Sequence, residues 1–219
     1  MRYWDISEPL EPASATFPGD TPFTQEWVAR QERGASCNVS TIRVSTHVGT
    51  HTDAPLHYDV AGSDMASVPL HAYMGRCRVL DVRGEGAPSL VPASALPPAK
   101  LRGVERVLLR TSDAHDHRVW NHGFTALGPA AAKALADAGV VLVGIDTPSM
   151  DHADSKDLSG HQALYAGGVA ILENLDLRGV PEGDYELIAL PLKLMQADAS
   201  PVRAVLRTLP TNATPPEAR

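Results

Sequence analysis

Residues 45–58 read STHVGTHTDAPLHY and confine His47, His51, Asp53 and His57 to eleven positions. All four fall on odd numbers, so in an extended segment their side chains project to one side of the backbone. Gly49 and Pro55 disfavour an α-helix, and Pro55 also biases Ala54 towards extended angles. A straight strand fails as well. Residues four apart in a strand lie roughly 13 Å from each other, too far for two imidazoles to share a metal bonded at about 2.0–2.1 Å. The chain must therefore curl, and Gly49 supplies the backbone freedom where the bend is needed. Imidazole and carboxylate together suit Zn, Mn or Fe at a hydrolytic centre. A single histidine is most often a hydrogen-bonded structural residue, whereas three on one face beside an aspartate point to a metal.

The flanking chain fits a soluble enzyme. Its 219 residues can bury a sizeable core as one domain, and 43% hydrophobic with 21% charged residues is an ordinary globular balance. A net charge of −7 argues against nucleic acid or an anionic membrane as partner. No stretch approaches the ~20 apolar residues of a membrane helix, and the start, MRYWDISEPL, lacks the basic segment and apolar run of a signal peptide. The expectation is a cytoplasmic protein. Cys37 and Cys77 are too few for a disulfide framework and read as packing residues.

Taken in order, residues 2–8 read as a short strand and residues 9–22 as a Pro/Gly-punctuated loop carrying Phe17. Residues 24–33 and 38–47 read as two strands, the second delivering His47 at its end. Residues 76–82 and 104–109 are further strands. Between 113 and 122, DAHDHRVWNH offers His115, Asp116, His117 and His122 as a rival metal cluster. It meets no defined ligand spacing and is read as a solvated loop with incidental histidines. Residues 129–138 form the clearest helix, with Pro in the first turn and Gly139 past the end. The apolar run 140–145 is a buried central strand, and Asp146 after it is read as a loop-bonding residue. A helix over 159–165 carries His161, and a strand over 169–172 ends at Glu173. Two strands, 184–191 and 202–209, close a domain spanning 1–209, and the proline-bearing tail 210–219 is expected to be disordered.

The string HVGTHTDAPLH, from His47 to His57, resembles the HxGTHxDxPxH signature of the cyclase-type metal-dependent amidohydrolases, and within them most closely the bacterial kynurenine formamidases. Similar segments recur in the same order: YWDIS at 3–7, FPGDTP at 17–22, GIDTPS at 144–149, AILE at 170–173 and GDYEL at 183–187 with PVRAVLR at 201–207. The resemblance implies an α/β fold of the layered, swivelling β/β/α type with a mixed sheet, assembled as a homodimer. It implies a dinuclear zinc centre held by His47, His51, Asp53, His161 and Glu173, with the two carboxylates shared. Manganese is the alternative metal. It also implies a catalytic role for His57 and a small aryl formamide, N-formyl-L-kynurenine, as substrate. Phe17 stands where that branch generally carries a tryptophan lining the aryl pocket.

Other readings stay open at this level. His57 could be a sixth ligand, or could orient Asp53. Phe17 keeps alive a related amidohydrolase or lactone hydrolase of the isatin-hydrolase kind. A non-catalytic metal-binding domain is the competing class, although structural sites are normally closed by four ligands, often cysteines.

Overall fold

The computed structural model describes residues 1–84 and 89–209; the tail expected over 210–219 lies outside them. Among the described residues there are thirteen strands: β1 Tyr3–Asp5, β2 Thr24–Ala29, β3 Val39–Arg43, β4 His51–Asp53, β5 Met74–Asp81, β6 Leu90–Val91, β7 Arg106–Arg110, β8 Ala126–Leu127, β9 Leu142–Ile145, β10 Ala170–Glu173, β11 Gly183–Ile188, β12 Ala199–Pro201 and β13 Val205–Thr208. The α-helices are α1 Pro98–Leu101, α2 Pro129–Asp137 and α3 Ser159–Ala166.

Nine strands form one mixed sheet in the order β1-β13-β11-β5-β7-β9-β10-β4-β12. Its centre, β5-β7-β9-β10, is parallel, and β4 runs antiparallel to β10 and β12. The inner parallel strands β7, β9 and β10 read as largely apolar runs because both faces are covered. Val107, Leu109, Val143, Ile145 and Ile171 pack with Leu135 of α2 and Leu164 of α3. Leu108, Leu142 and Leu172 point the other way, into a second cluster with Ile6, Tyr73 and Leu187. The mixed sheet and few helices of the expected α/β architecture are thus present.

Three expectations need correction. The second predicted strand ends at Arg43, and His47 sits four residues beyond it in a turn. With β2 it makes a separate two-stranded ribbon outside the main sheet. Both strands of that ribbon are exposed, with no third strand paired to them among the described residues. Cys77 is buried as expected, but Cys37 is exposed and does not pack. The 113–122 loop is not simply solvated. His115 and His117 turn inward and face Glu8, a buried residue.

Gly49 is required where the bend was expected. Its φ is +70°, and an added Cβ would stand 2.5 Å from Leu10 Cδ2. The segment beyond it is not all curl: β4 lies within it, and Pro55 opens a single 3₁₀ turn, Pro55–His57. Proline is suited to that first position because its fixed φ is already helical and no N–H is needed.

Candidate metal centre

Sheet register assembles most of the site. His51 and Asp53 are two residues apart on β4, so both side chains leave the same face. On β10, Glu173 is the cross-strand partner of His51. This places three donors on one patch of sheet. His51 Nε2 lies 3.2 Å from Glu173 Oε2 and 3.5 Å from Asp53 Oδ1.

The other two imidazoles come from outside the sheet. His161, in the first turn of α3, sets Nε2 3.3 Å from both Asp53 Oδ2 and Glu173 Oε1. His47, in the turn before Gly49, sets Nδ1 3.2 Å from Asp53 Oδ1. Asp53 therefore has His47 and His51 on one oxygen and His161 on the other. His57 stands beside this group, its ring 4.3 Å from that of His47 and 6.1 Å from that of His161. All six polar residues singled out in the sequence converge.

Residues missed in the sequence orient these groups. Asp151 accepts from the backbone N–H of Gly160 and of His161 at 2.8 and 2.9 Å, capping α3, and from His161 Nδ1 at 2.7 Å. Nε2 of His161 is thereby aimed at the two carboxylates. Asp198 sits 3.0 Å from His47 Nε2 and 3.7 Å from His57 Nδ1. His51 Nδ1 donates to the Gly49 carbonyl at 2.9 Å, and the Met150 N–H donates to Glu173 Oε1 at 2.6 Å. No spacing in the sequence signals Asp151 or Asp198; the only hint for Asp198 is its place just before the PVRAVLR segment.

The charges are strongly coupled. Burial alone would depress His47, yet the Asp198 and Asp53 carboxylates push it up to about 10. Burial likewise opposes the other shifts. His161 is nonetheless raised by Asp151, Asp53 and Glu173, and the facing imidazoles hold Asp53 well below the usual carboxylate range. The attractions to Asp53 act without aligned hydrogen bonds: both Asp53 oxygens and His51 Nε2 are buried and unpartnered among the described residues. His57 differs, since burial dominates and holds it below the ordinary imidazole value.

These orphaned donors fit divalent metal. Ligands about 2.1 Å from one ion at tetrahedral angles stand roughly 3.4 Å apart, and the donor separations here are 3.2–3.5 Å. Two sets close around Asp53, one with His51 and Glu173 and one with His47 and His57. Outward hydrogen bonds from His51 and His161 leave each Nε2 free as a ligand, the usual second partner of a metal-binding imidazole.

The centre opens into a cavity of about 420 Å³, with Phe17, Trp120 and Phe124 among its lining residues. Phe17 packs edge-on against Trp120, ring centroids 5.4 Å apart. Trp120 was in view in the 113–122 stretch, but only the fold brings it to Phe17.

Comparison with known proteins agrees with this geometry. The family model named Cyclase matches residues 4–152. The chain is 52% identical over 209 residues to the kynurenine formamidase of Paracidovorax citrulli, covering 94% of this chain and 96% of the relative. It is 50% identical over 208 residues to that of Delftia acidovorans, covering 95% and 98%. Among solved structures it superimposes on a "predicted metal-dependent hydrolase" from Bacillus stearothermophilus with a TM-score of 0.77 at 28% identity, over 94% of this chain and 97% of the other. With the model spanning more than half of the sequence and such relatives along nearly all of it, this chain belongs to the Cyclase family.

Proposed function

We propose that this chain hydrolyses N-formyl-L-kynurenine to L-kynurenine and formate, using two divalent metal ions, zinc by family resemblance. One observation carries the reading. A His/carboxylate cluster with orphaned donors opens onto a cavity that Phe17, Trp120 and Phe124 help to line, in a chain about half identical to two kynurenine formamidases.

In this reading His47, His51, Asp53, His161 and Glu173 would hold the ions. Ions held there supply Lewis acidity towards a carbonyl and towards water. Phe17 and Trp120 receive the aryl ring and bring the formamide carbonyl to the cluster. His57 is neutral near pH 7 because burial keeps its pKa low. It can take a proton from the attacking water and pass it to the anilide nitrogen. That delivery is needed because an unprotonated anilide anion is a poor leaving group. One water hydrogen ends on the amine, and the hydroxyl ends on formic acid, which ionises to formate and a proton.

The proposal includes a cytoplasmic homodimer. No helix among the described residues is long and apolar enough to cross a membrane. The dimer is supported by the β2–β3 ribbon, since a lone two-stranded ribbon is marginal in water. It exposes Val28 at 68% and Ile42 at 57%.

The test is incubation of metal-replete protein with N-formyl-L-kynurenine, following formate and kynurenine together. Equal release of both is expected, and absence of turnover sinks the substrate assignment.

A further inference from the structure

Glu173 and His51 face each other across β10 and β4 and meet in the cluster. In regular strands the residue next to each would turn to the opposite face. Thr50, before His51, spends its hydroxyl on backbone groups, accepting from the Glu8 N–H at 2.8 Å and donating to the Asn174 carbonyl. Asn174, directly after Glu173, behaves differently. Its φ is +54°, in the left-handed region, and it lines the same cavity as His51, His57 and Glu173. The kink breaks the strand alternation, so that two consecutive residues border the site.

This kink is held from outside. The Asn174 N–H donates to the Thr147 carbonyl at 2.9 Å, and the next N–H, of Leu175, donates to the Ile145 carbonyl at 3.1 Å. With the Thr50 bond, the Asn174 backbone is fixed on both sides. Among the described residues only Leu158 and Gln196 share a positive φ without being glycine. Such conformations persist where the surrounding structure imposes them, and they concentrate at functional sites.

Asparagine enters the left-handed region more readily than most residues, so backbone shape alone would favour it here. The side chain supplies a second observation. Of the hydroxyl and carboxamide groups that line the cavity, Ser14 donates to the Pro9 carbonyl, Ser149 accepts from the Asp151 N–H and Ser155 accepts from the Leu158 N–H. Asn174 is bonded through its main chain alone among the described residues. Its carboxamide is also accessible, unlike the buried unpartnered atoms of His51 and Asp53.

We propose that Asn174 is a further catalytic residue, whose carboxamide N–H donates to the carbonyl oxygen of the scissile formamide. The inference rests on the formamidase reading for the identity of that carbonyl. Asn174 adjoins Glu173 in sequence and Thr50, the neighbour of His51, in space, which sets the donor at the edge of the cluster the carbonyl must reach. As water adds, the oxygen gains negative charge and the hydrogen bond strengthens. A donor fixed beforehand by a rigid backbone stabilises that charge without reorganising.

Asn174→Gly is the discriminating variant, because glycine adopts the left-handed backbone freely and only the carboxamide is lost. With metal-replete full chain and N-formyl-L-kynurenine, kcat should fall about 10²- to 10³-fold, the usual effect of removing one such donor. Metal content and circular dichroism should be unchanged, and KM altered far less than kcat. Asn174→Asp, which keeps the shape and loses the donor, should be no faster. A folded glycine variant as fast as wild type overturns the inference and leaves the formamidase reading standing. A wild type without turnover sinks that reading instead; there, or if the variant does not fold, crystals of the zinc-loaded wild-type chain soaked with formate decide. The Asn174 amide is expected within hydrogen-bonding distance of a formate oxygen, and an amide with no ligand against it overturns the inference.

Discussion

Asp151 accepts the Nδ1 proton of His161 at 2.7 Å while its carboxylate also caps the helix that carries that histidine. One side chain thus sets both the position of α3 and the direction of the His161 lone pair. Asp151→Asn should leave the fold intact and weaken metal binding by about 10- to 100-fold, the usual effect of losing an outer carboxylate. Competition against a chromophoric chelator measures it, and unchanged affinity contradicts the assignment.

His57→Ala separates the two roles open to this residue. As the proton carrier it should cost about 10²- to 10⁴-fold in kcat with metal content unchanged. Loss of metal from the variant would instead make His57 a ligand, a role its neighbourhood with His47 and Asp53 permits.

The exposed ribbon makes a prediction about assembly. Ile42→Asp places a charge on its apolar surface, where burial against a second copy would be costly. Light scattering should report a dimer for the wild type and a monomer for the variant. A monomeric wild type, or an unaltered mass in the variant, contradicts the proposed role of the ribbon.

Asp146 ties stability to pH. Its carboxylate accepts from Thr111 N and Oγ1 and from Ser112 N, yet burial outweighs these bonds and raises its pKa from 3.8 to about 6. The folded state therefore holds the proton more tightly than the unfolded chain. The resulting stabilisation is complete below about pH 4, falls as pH rises to about 6, and is absent above, an amplitude of about 3 kcal/mol. Urea denaturation across this window should show that decline in the wild type and not in Asp146→Asn. Identical slopes would remove Asp146 as its source.

Much of the site was legible because its residues are crowded into local patterns. His47, His51, Asp53 and His57 share eleven positions, and Glu173 ends an apolar strand. What stayed hidden depends on contacts distant in sequence. Asp198 reaches His47 across 151 positions, and Glu8 faces His115 and His117 only in the folded chain. The fold's sheet was foreseeable from its apolar runs, whereas the detachment of the β2–β3 ribbon was not. Alternating side chains announce a strand but not which sheet it joins. The two-residue strand β6 and three-residue β12 were invisible for the opposite reason, being too short for any period to register.

The central claim is that a cluster gathered around Asp53 binds the metal on which hydrolysis depends. It is tested most directly by removing metal with a chelator, adding zinc back in steps, and measuring bound metal and N-formyl-L-kynurenine turnover on the same samples. Turnover should vanish in the stripped protein and return with metal in wild type, but not in a folded Asp53→Asn variant. Stripped protein that retains full turnover, or an Asp53→Asn variant as active as wild type, would contradict the account.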